Sequence, residues 1–101
     1  MSTTDTTRAI QAPEVLGLDS RGDFRDSAVA TLDELSAGGV LVIDFGGTRR
    51  IDSAGLGAMM LVQRRAAERE QRVVLRNLRD EFRFLLVLTK LDDLFEIESH
   101  S

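Results

Sequence analysis

Apolar residues in the first half of the chain follow two different patterns. The continuous run Val40 to Ile43 is rich in β-branched residues and predicts a strand buried on both faces. Before it, Gly38-Gly39 ends a segment with helical spacing near 3.6, which we expect to be capped by Asp26 or Ser27. The apolar positions of that helix are Ala28, Val29, Leu32 and Leu35. A buried strand beside a helix indicates a sheet covered by helices.

The second half of the chain repeats this alternation. Gly46-Gly47 ends the strand, and a helix is predicted from Ser53 to Glu70, apolar nearly all round in its first half. A strand at Arg72 to Leu75 and a helix at Asp80 to Leu88 follow, and Phe95 to Ile97 is a short last strand or an extended tail. This β-α-β-α-β order favours parallel strand pairing with right-handed crossovers.

The N-terminal segment completes the predicted sheet. Thr6 to Gln11 and Val15 to Leu18 are two further strand candidates. We therefore predict an α/β fold, with a mixed, mostly parallel sheet of four to five strands and helices packed against it. A chain of 101 residues fits one domain, with residues 1–7 loose and residues 98–101 a frayed tail.

The composition excludes several kinds of chemistry. The chain has no cysteine, so disulfides, thiolate metal sites and cysteine nucleophiles are excluded. No apolar run approaches the roughly 20 residues that a membrane helix needs, and the first residues lack signal-peptide features. We expect a cytoplasmic protein that does not contact a membrane. We also expect no cofactor, metal or catalytic residue, because the single histidine is His100, near the chain end, and no phosphate loop appears.

Charge is unevenly distributed along the chain. The net charge is −4, yet residues 49–90 carry ten Lys and Arg against five Asp and Glu. An acidic protein is a poor general ligand for phosphate backbones, so direct nucleic-acid binding is not expected. The arginine-rich middle has two interpretations: it faces an acidic protein surface, or its arginines simply solvate helix faces.

The most informative stretch is Ile51 to Gly57, where a strand is predicted to give way to a helix. The first N–H groups of a helix lack intrahelical partners, so a phosphate on Ser53 would gain donors and a favourable field there. Gly55 and Gly57 have no side chains, which would let another protein's backbone approach. A structural explanation stays open, because Asp52 and Ser53 are favoured N-cap residues and the glycines suit tight helix–sheet packing.

These residues carry a family resemblance. The motif Asp52-Ser53-Ala54-Gly55-Leu56-Gly57, with the strand Val40 to Asp44 before it and the segment Leu88 to Phe95 after it, resembles the STAS family. The chain looks most like the bacterial anti-sigma factor antagonists, most closely over residues 40–97. Earlier in the chain, Arg21 to Phe24 resembles the Gly-acid-apolar turn that precedes the first helix of that family.

The resemblance implies a function and a site. Family members bind a serine kinase that is also the anti-sigma factor, which frees a sigma factor, and phosphorylation of the serine after the aspartate switches them off. In this chain that serine is Ser53, and a phosphatase acting on phospho-Ser53 would reverse the switch. A monomer or weak dimer is expected. The implied partner-binding residues are Asp52, Ser53, Ala54, Gly55, Leu56, Gly57, Asp44 and Asp23.

Two residues leave alternatives open. Ala54 stands where the family often has a second serine, and it also occurs in relatives that are never phosphorylated. The alternative function is therefore a non-phosphorylated STAS adaptor of a lipid-transport ATPase complex or a stress-signalling scaffold. Asp44 either helps to shape the Ser53 turn or only ends its own strand. An enzyme acting through Ser53 is not expected, because a serine nucleophile needs an adjacent general base.

Overall fold

The structure, a computed structural model, describes residues 6–98. Strands and helices alternate along most of this range, as the sequence predicts. The strands are β1 (Thr7–Gln11), β2 (Val15–Leu16), β3 (Val40–Asp44), β4 (Arg50–Ile51), β5 (Arg72–Arg76) and β6 (Glu96–Ile97). The helices are α1 (Arg21–Glu34), α2 (Ser53–Glu68) and α3 (Asp80–Leu88), and a 3-10 helix spans Asp92–Leu94.

Four strands form the main sheet in the order β1-β3-β5-β6, and every pair is parallel. Ile10, Ile43, Leu75 and Ile97 lie side by side across it in register. The predicted α/β fold is confirmed. A mixed sheet would also contain an antiparallel pair, but none occurs within residues 6–98. Each main-sheet strand is joined to the next by a crossover that contains a helix, and such a connection makes neighbouring strands parallel.

A second, two-stranded sheet pairs β2 with β4, again in parallel. Each strand has two residues, with Val15 beside Arg50 and Leu16 beside Ile51. The sequence predicts a strand-to-helix turn over Ile51 to Gly57 but gives no bounds for a separate strand β4, since two residues carry no periodicity. Thr48 supports this sheet from the loop before β4: its buried hydroxyl donates to the carbonyl of Pro13 at 2.8 Å.

Helix α1 begins at Arg21, five residues before the predicted start, so the prediction of an Asp26 or Ser27 cap is wrong. The start is fixed by a turn in which Ser20 Oγ accepts from the Gly17 N–H at 3.0 Å. Gly22 disfavours a helix by about 1 kcal/mol relative to alanine, but burial of Phe24 in the core offsets this cost. Asp23, expected in a turn before the helix, lies exposed in its first turn instead.

The core lies between the main sheet and its helices. Leu41, Ile43 and Leu75 of the sheet are fully buried, together with Phe45 just after β3. Helix α2 contributes its buried residues Ala58, Met59, Val62 and Ala66. Helix α3 buries Phe82 and Leu86, whereas Leu88 at its end is 63% exposed.

A buried glutamine joins the end of α1 to the start of β5. The Gln71 amide donates to the carbonyls of Leu32 at 2.9 Å and Leu35 at 2.7 Å. Leu32 lies in the last turn of α1 and also accepts the Leu35 N–H at 3.1 Å, whereas Leu35 is the C-cap residue, whose carbonyl lies beyond the helical bonds. Gln71 therefore satisfies the C-terminal end of a helix more than 30 residues away in sequence.

Most of the predicted loose ends, residues 1–5 and residues 99–101 with His100 among them, lie outside the described residues. At the first end, the carbonyl of Thr6 accepts from the Val40 N–H at 2.7 Å, and Thr7 already belongs to β1. At the other end, the Glu98 N–H donates to the carbonyl of Leu75 at 2.9 Å. Thr6 and Glu98, which belong to the predicted loose ends, therefore take part in backbone hydrogen bonds to the sheet.

Within residues 6–98, no helix is both long enough and apolar enough to cross a membrane. The same part of the chain holds no group of three or more His, Asp or Glu side chains suited to a metal ion.

Candidate functional site

The candidate site is the turn from β4 into α2, and Asp52 organises it. The Asp52 N–H donates to the carbonyl of Leu16 at 3.1 Å, which continues the β2–β4 pairing. Its carboxylate accepts from the N–H groups of Gly55 at 3.0 Å and Leu18 at 3.3 Å. The Gly55 hydrogen bond, followed by those from Leu18 and Ala54, lowers the pKa of Asp52, because the bonds favour the ionised carboxylate. Asp52 is thus the predicted N-cap of α2.

The cap changes the expected setting of Ser53. The sequence predicts that the first N–H groups of the helix are unpaired. In the structure, the Asp52 carboxylate accepts from the Gly55 N–H and interacts with the Ala54 N–H. The Leu56 N–H donates to the Asp52 carbonyl at 3.0 Å as the first helical bond. A phosphate on Ser53 would therefore find the first helical amides largely occupied.

Ser53 itself is the first residue of α2 and is exposed. Its hydroxyl is therefore open to an approaching protein, as the implied role requires. Gly57, one turn further along α2, is also exposed, and nothing lies within 4 Å of where its side chain would begin. Ala54 and Leu56 are half-buried, and Leu56 packs against the core.

Two glycines allow the turn to pack closely on the strand beside it. A Cβ on Gly55 would lie 2.1 Å from the carbonyl oxygen of Leu16, closer than any side chain tolerates. A Cβ on Gly17 would lie 2.5 Å from the Asp52 carboxylate. The missing side chain of Gly55 is therefore used inside the chain, in agreement with the packing interpretation. Gly17 has no signal in the sequence, because its partner Asp52 lies 35 residues later.

A groove between α1 and α2 opens beside Ser53, with a volume of about 410 Å³. Helix α1 contributes two arginines to it, and α2 contributes small and apolar residues. The lining residues are Arg21, Arg25, Ser53, Ala54, Gly57, Ala58 and Leu61. The two arginines are missed by sequence reasoning, because the predicted α1 starts after both of them.

The remaining two predicted site residues lie in other local networks. Asp44 ends β3, and its carboxylate accepts from Asn77 Nδ2 at 3.0 Å and the Gly46 N–H at 2.8 Å. These two bonds, the first being the stronger influence, lower the pKa of Asp44. Asp23 is exposed on α1. Among the described residues no hydrogen bond joins either aspartate to Ser53, so the structure brings together residues 52–57 but not these two.

Solved structures of low sequence identity share the fold. A Thermotoga maritima protein assigned as an anti-sigma factor antagonist superposes with a TM-score of 0.79 at 16% identity, covering 98% of this chain and 84% of its own. The unphosphorylated anti-sigma factor antagonist SpoIIAA gives a TM-score of 0.72 at 14% identity, covering 100% and 86%. A sulfate transporter family protein from Wolinella succinogenes gives 0.67 at 15% identity, covering 87% and 70%.

A search of curated proteins gave no match to the sequence. A family model does match, over residues 1–96, and it includes the Asp52–Gly57 turn and all of the main sheet except the last residue of β6. The resemblance in the sequence, the shared fold and this match agree. The chain belongs to the family described as Mlab, STAS domain.

Proposed function

We propose that this STAS domain is an anti-sigma factor antagonist that acts by binding in the cytoplasm, without catalysis. It docks through the Ser53 turn on a serine kinase that is also an anti-sigma factor, and this docking frees a sigma factor. Phosphorylation of Ser53 by the kinase switches the antagonist off, and a phosphatase restores it. The observation that carries the proposal is that Ser53 is exposed on a fixed turn. The Asp52 carboxylate fixes it by accepting from the Gly55 N–H in α2 and from the Leu18 N–H after β2.

The proposed docking surface consists of residues 52–57, with Asp23 and Asp44 as outer members. Ser53 and Gly57 present its exposed part, and Gly57 leaves room for a partner's backbone. Asp52 and Gly55 support this surface by holding the turn against Leu16, and Leu56 supports it by packing against the core. A turn that is already fixed loses little conformational freedom when a partner binds.

Phosphorylation would oppose docking by electrostatics. A phosphate adds a charge of about −1.5 to −2 beside the ionised Asp52, and both charges would have to be desolvated at an interface. A loss of about 3 kcal/mol would weaken binding more than a hundredfold. Since the turn is fixed by its own cap, no refolding of the domain is required.

The test is a binding measurement with the purified cognate kinase and ATP. We expect Ser53→Ala to bind the kinase and to escape phosphorylation, and Ser53→Asp to bind at least about tenfold more weakly because it places a second carboxylate beside Asp52. Ser27→Asp is the matched control, since Ser27 is exposed on α1 and gains the same charge. Equal binding by Ser53→Ala and Ser53→Asp, with no phosphate incorporated into the wild type, would refute the switch.

A second function, a fixed STAS adaptor, is favoured by two observations. Ala54 occupies the position of the family's second serine, and the matching family model is described as Mlab, STAS domain, not as an antagonist. As an adaptor the protein would stay unmodified and would copurify with an ATPase or a large scaffold. A phosphate-affinity gel of the native protein separates the two: an antagonist gives a shifted band that Ser53→Ala abolishes, and an adaptor gives one constant band.

A further inference from the structure

We infer that Arg21 and Arg25 form a phosphate-binding pair for phosphorylated Ser53 on the same chain, so that the phosphate is held in the groove between α1 and α2. The inference deepens the proposed function and rests on it. The chemical group recognised is the phosphate monoester dianion of phosphoserine.

The phosphate needs cationic partners because its neighbours are unfavourable. Asp52 directly precedes Ser53 and is held as a carboxylate by the Gly55 and Leu18 N–H groups. The same carboxylate occupies the helix amides that would otherwise receive an anion. A second and third negative charge at this point is therefore costly unless guanidinium groups neutralise them.

Arg21 and Arg25 are placed to meet this requirement. They lie four residues apart on α1, hence on one face of the helix, and both line the groove that Ser53 also lines. The groove is open along Gly57 and Ala54, which have no bulky side chain to fill it. The charge of Arg21 already reaches the turn, since it contributes to the lowered pKa of Asp52.

Both arginines are also available. The Arg21 side chain makes no hydrogen bond or ion pair within residues 6–98, and Arg25 pairs only with its exposed neighbour Asp26, at 3.3 Å. By contrast, Arg72 and Arg76 are committed to Glu96 and Glu98. A guanidinium group can donate two parallel N–H bonds to a phosphate, whereas Arg25 makes only one bond to the Asp26 carboxylate, from Nε.

Such a pair would give phosphorylation a second effect on binding. In the unmodified domain the two arginines are free to meet an acidic surface of a partner. Once Ser53 carries a phosphate, the same arginines turn toward it and are withdrawn from the partner. The phosphate would then both add a charge to the docking surface and remove two opposite ones.

The experiment installs phosphoserine at position 53 during translation, so no kinase is needed. The second ionisation of the phosphate is followed by phosphorus NMR against pH in wild type, Arg21→Gln, Arg25→Gln and the double variant. Arg64→Gln is the control: it removes the same charge from an exposed site on α2, about 16 Å along the helix from Ser53. That distance exceeds the screening length of roughly 8 Å at physiological salt.

We expect the double variant to raise the pKa of the phosphate by about 0.5 unit or more relative to wild type, because loss of nearby positive charge disfavours the dianion. Each single variant gives part of this shift, Arg64→Gln gives almost none, and about 1 M salt reduces the difference. Thermal melts of the same proteins verify that each is folded.

Equal pKa values in the double variant and the Arg64→Gln control would overturn the inference. That result is independent of the proposed kinase, since the phosphate is introduced genetically. Conversely, a chain that binds no kinase but shows the shift would contradict the proposed function and leave the phosphate site standing.

Discussion

Asp52 connects three parts of the chain at the level of a single side chain. Its carboxylate accepts from Gly55 in α2 and from Leu18 after β2, and its N–H donates to Leu16 in β2. Because the turn depends on this carboxylate, its protonation state affects the folded protein. The pKa of Asp52 is lowered chiefly by the Gly55 bond, so its contribution to stability is present above its unfolded value and is lost as pH falls through the folded one.

We predict that Asp52→Asn lowers the melting temperature near pH 7 but has little effect at a pH well below the ordinary value of 3.8. Asparagine is as good an N-cap as aspartate, so the variant removes the charge and keeps the cap. Melts across this pH range test the prediction, with Asp19→Asn as the exposed control. A difference between Asp52→Asn and wild type that stays constant with pH would contradict the role of the charge.

The glycines of α2 give a second prediction at the residue scale. Gly55→Ala should destabilise the fold by about 1–3 kcal/mol, because the new Cβ meets the Leu16 carbonyl. Gly57→Ala, in the same helix but facing open space, should stabilise it by up to about 1 kcal/mol through helix propensity. Urea unfolding midpoints measure both, and a stabilising Gly55→Ala would show that the close contact is absent.

At the scale of elements, Gln71 ties α1 to β5. We predict that Gln71→Leu costs about 1–3 kcal/mol, because the Leu35 carbonyl loses its side-chain donor and the Leu32 carbonyl keeps only the Leu35 N–H. Gln63→Leu is the matched control: both glutamines have a buried side-chain oxygen without a hydrogen-bond partner in the described residues, but only the Gln71 amide donates to buried carbonyls, so the loss of Gln63 should cost little. Denaturant titrations compare the two, and equal costs would mean that the Gln71 bonds do not stabilise the fold.

The elements that the sequence predicts well are those with a local signal. Strand β3, helix α3 and the start of α2 follow from a β-branched run, apolar spacing and an N-cap. The start of α1 is missed because it depends on the Ser20–Gly17 turn and on burial of Phe24, and β4 is missed because its partner β2 lies far away in sequence. Since Arg21 and Arg25 belong to that missed start, the groove beside Ser53 could not be predicted either.

For the whole molecule, three carboxylates share one pH dependence. Hydrogen bonds lower the pKa of Asp44, Asp52 and Glu96, through Asn77, Gly55 and Arg72 respectively. Their ordinary values are 3.8 for the two aspartates and 4.5 for the glutamate. Each therefore contributes its full stabilisation above its ordinary pKa, and this contribution is lost progressively as pH falls through the lowered pKa of the folded protein.

We predict that the urea midpoint is nearly constant above about pH 5.5 and falls steadily below about pH 4.5, where the unfolded chain binds more protons. The triple variant Asp44→Asn, Asp52→Asn, Glu96→Gln should be less stable at neutral pH and should lose less on acidification. The decisive measurement is how steeply the urea midpoint of the triple variant falls with pH. A triple variant as acid-sensitive as the wild type would assign the dependence to other groups.

The two-residue pairing of β2 with β4 has a consequence for the position of Ser53. It fastens the segment before α1 to the segment before α2 at Leu16, so the stretch that leads to Arg21 and the stretch that leads to Ser53 share one anchor. A ligand or protein that displaces residues 15–18 would therefore shift Ser53 without covering its hydroxyl. The position of Ser53 would therefore respond to binding at residues 15–18 as well as to binding at its own turn.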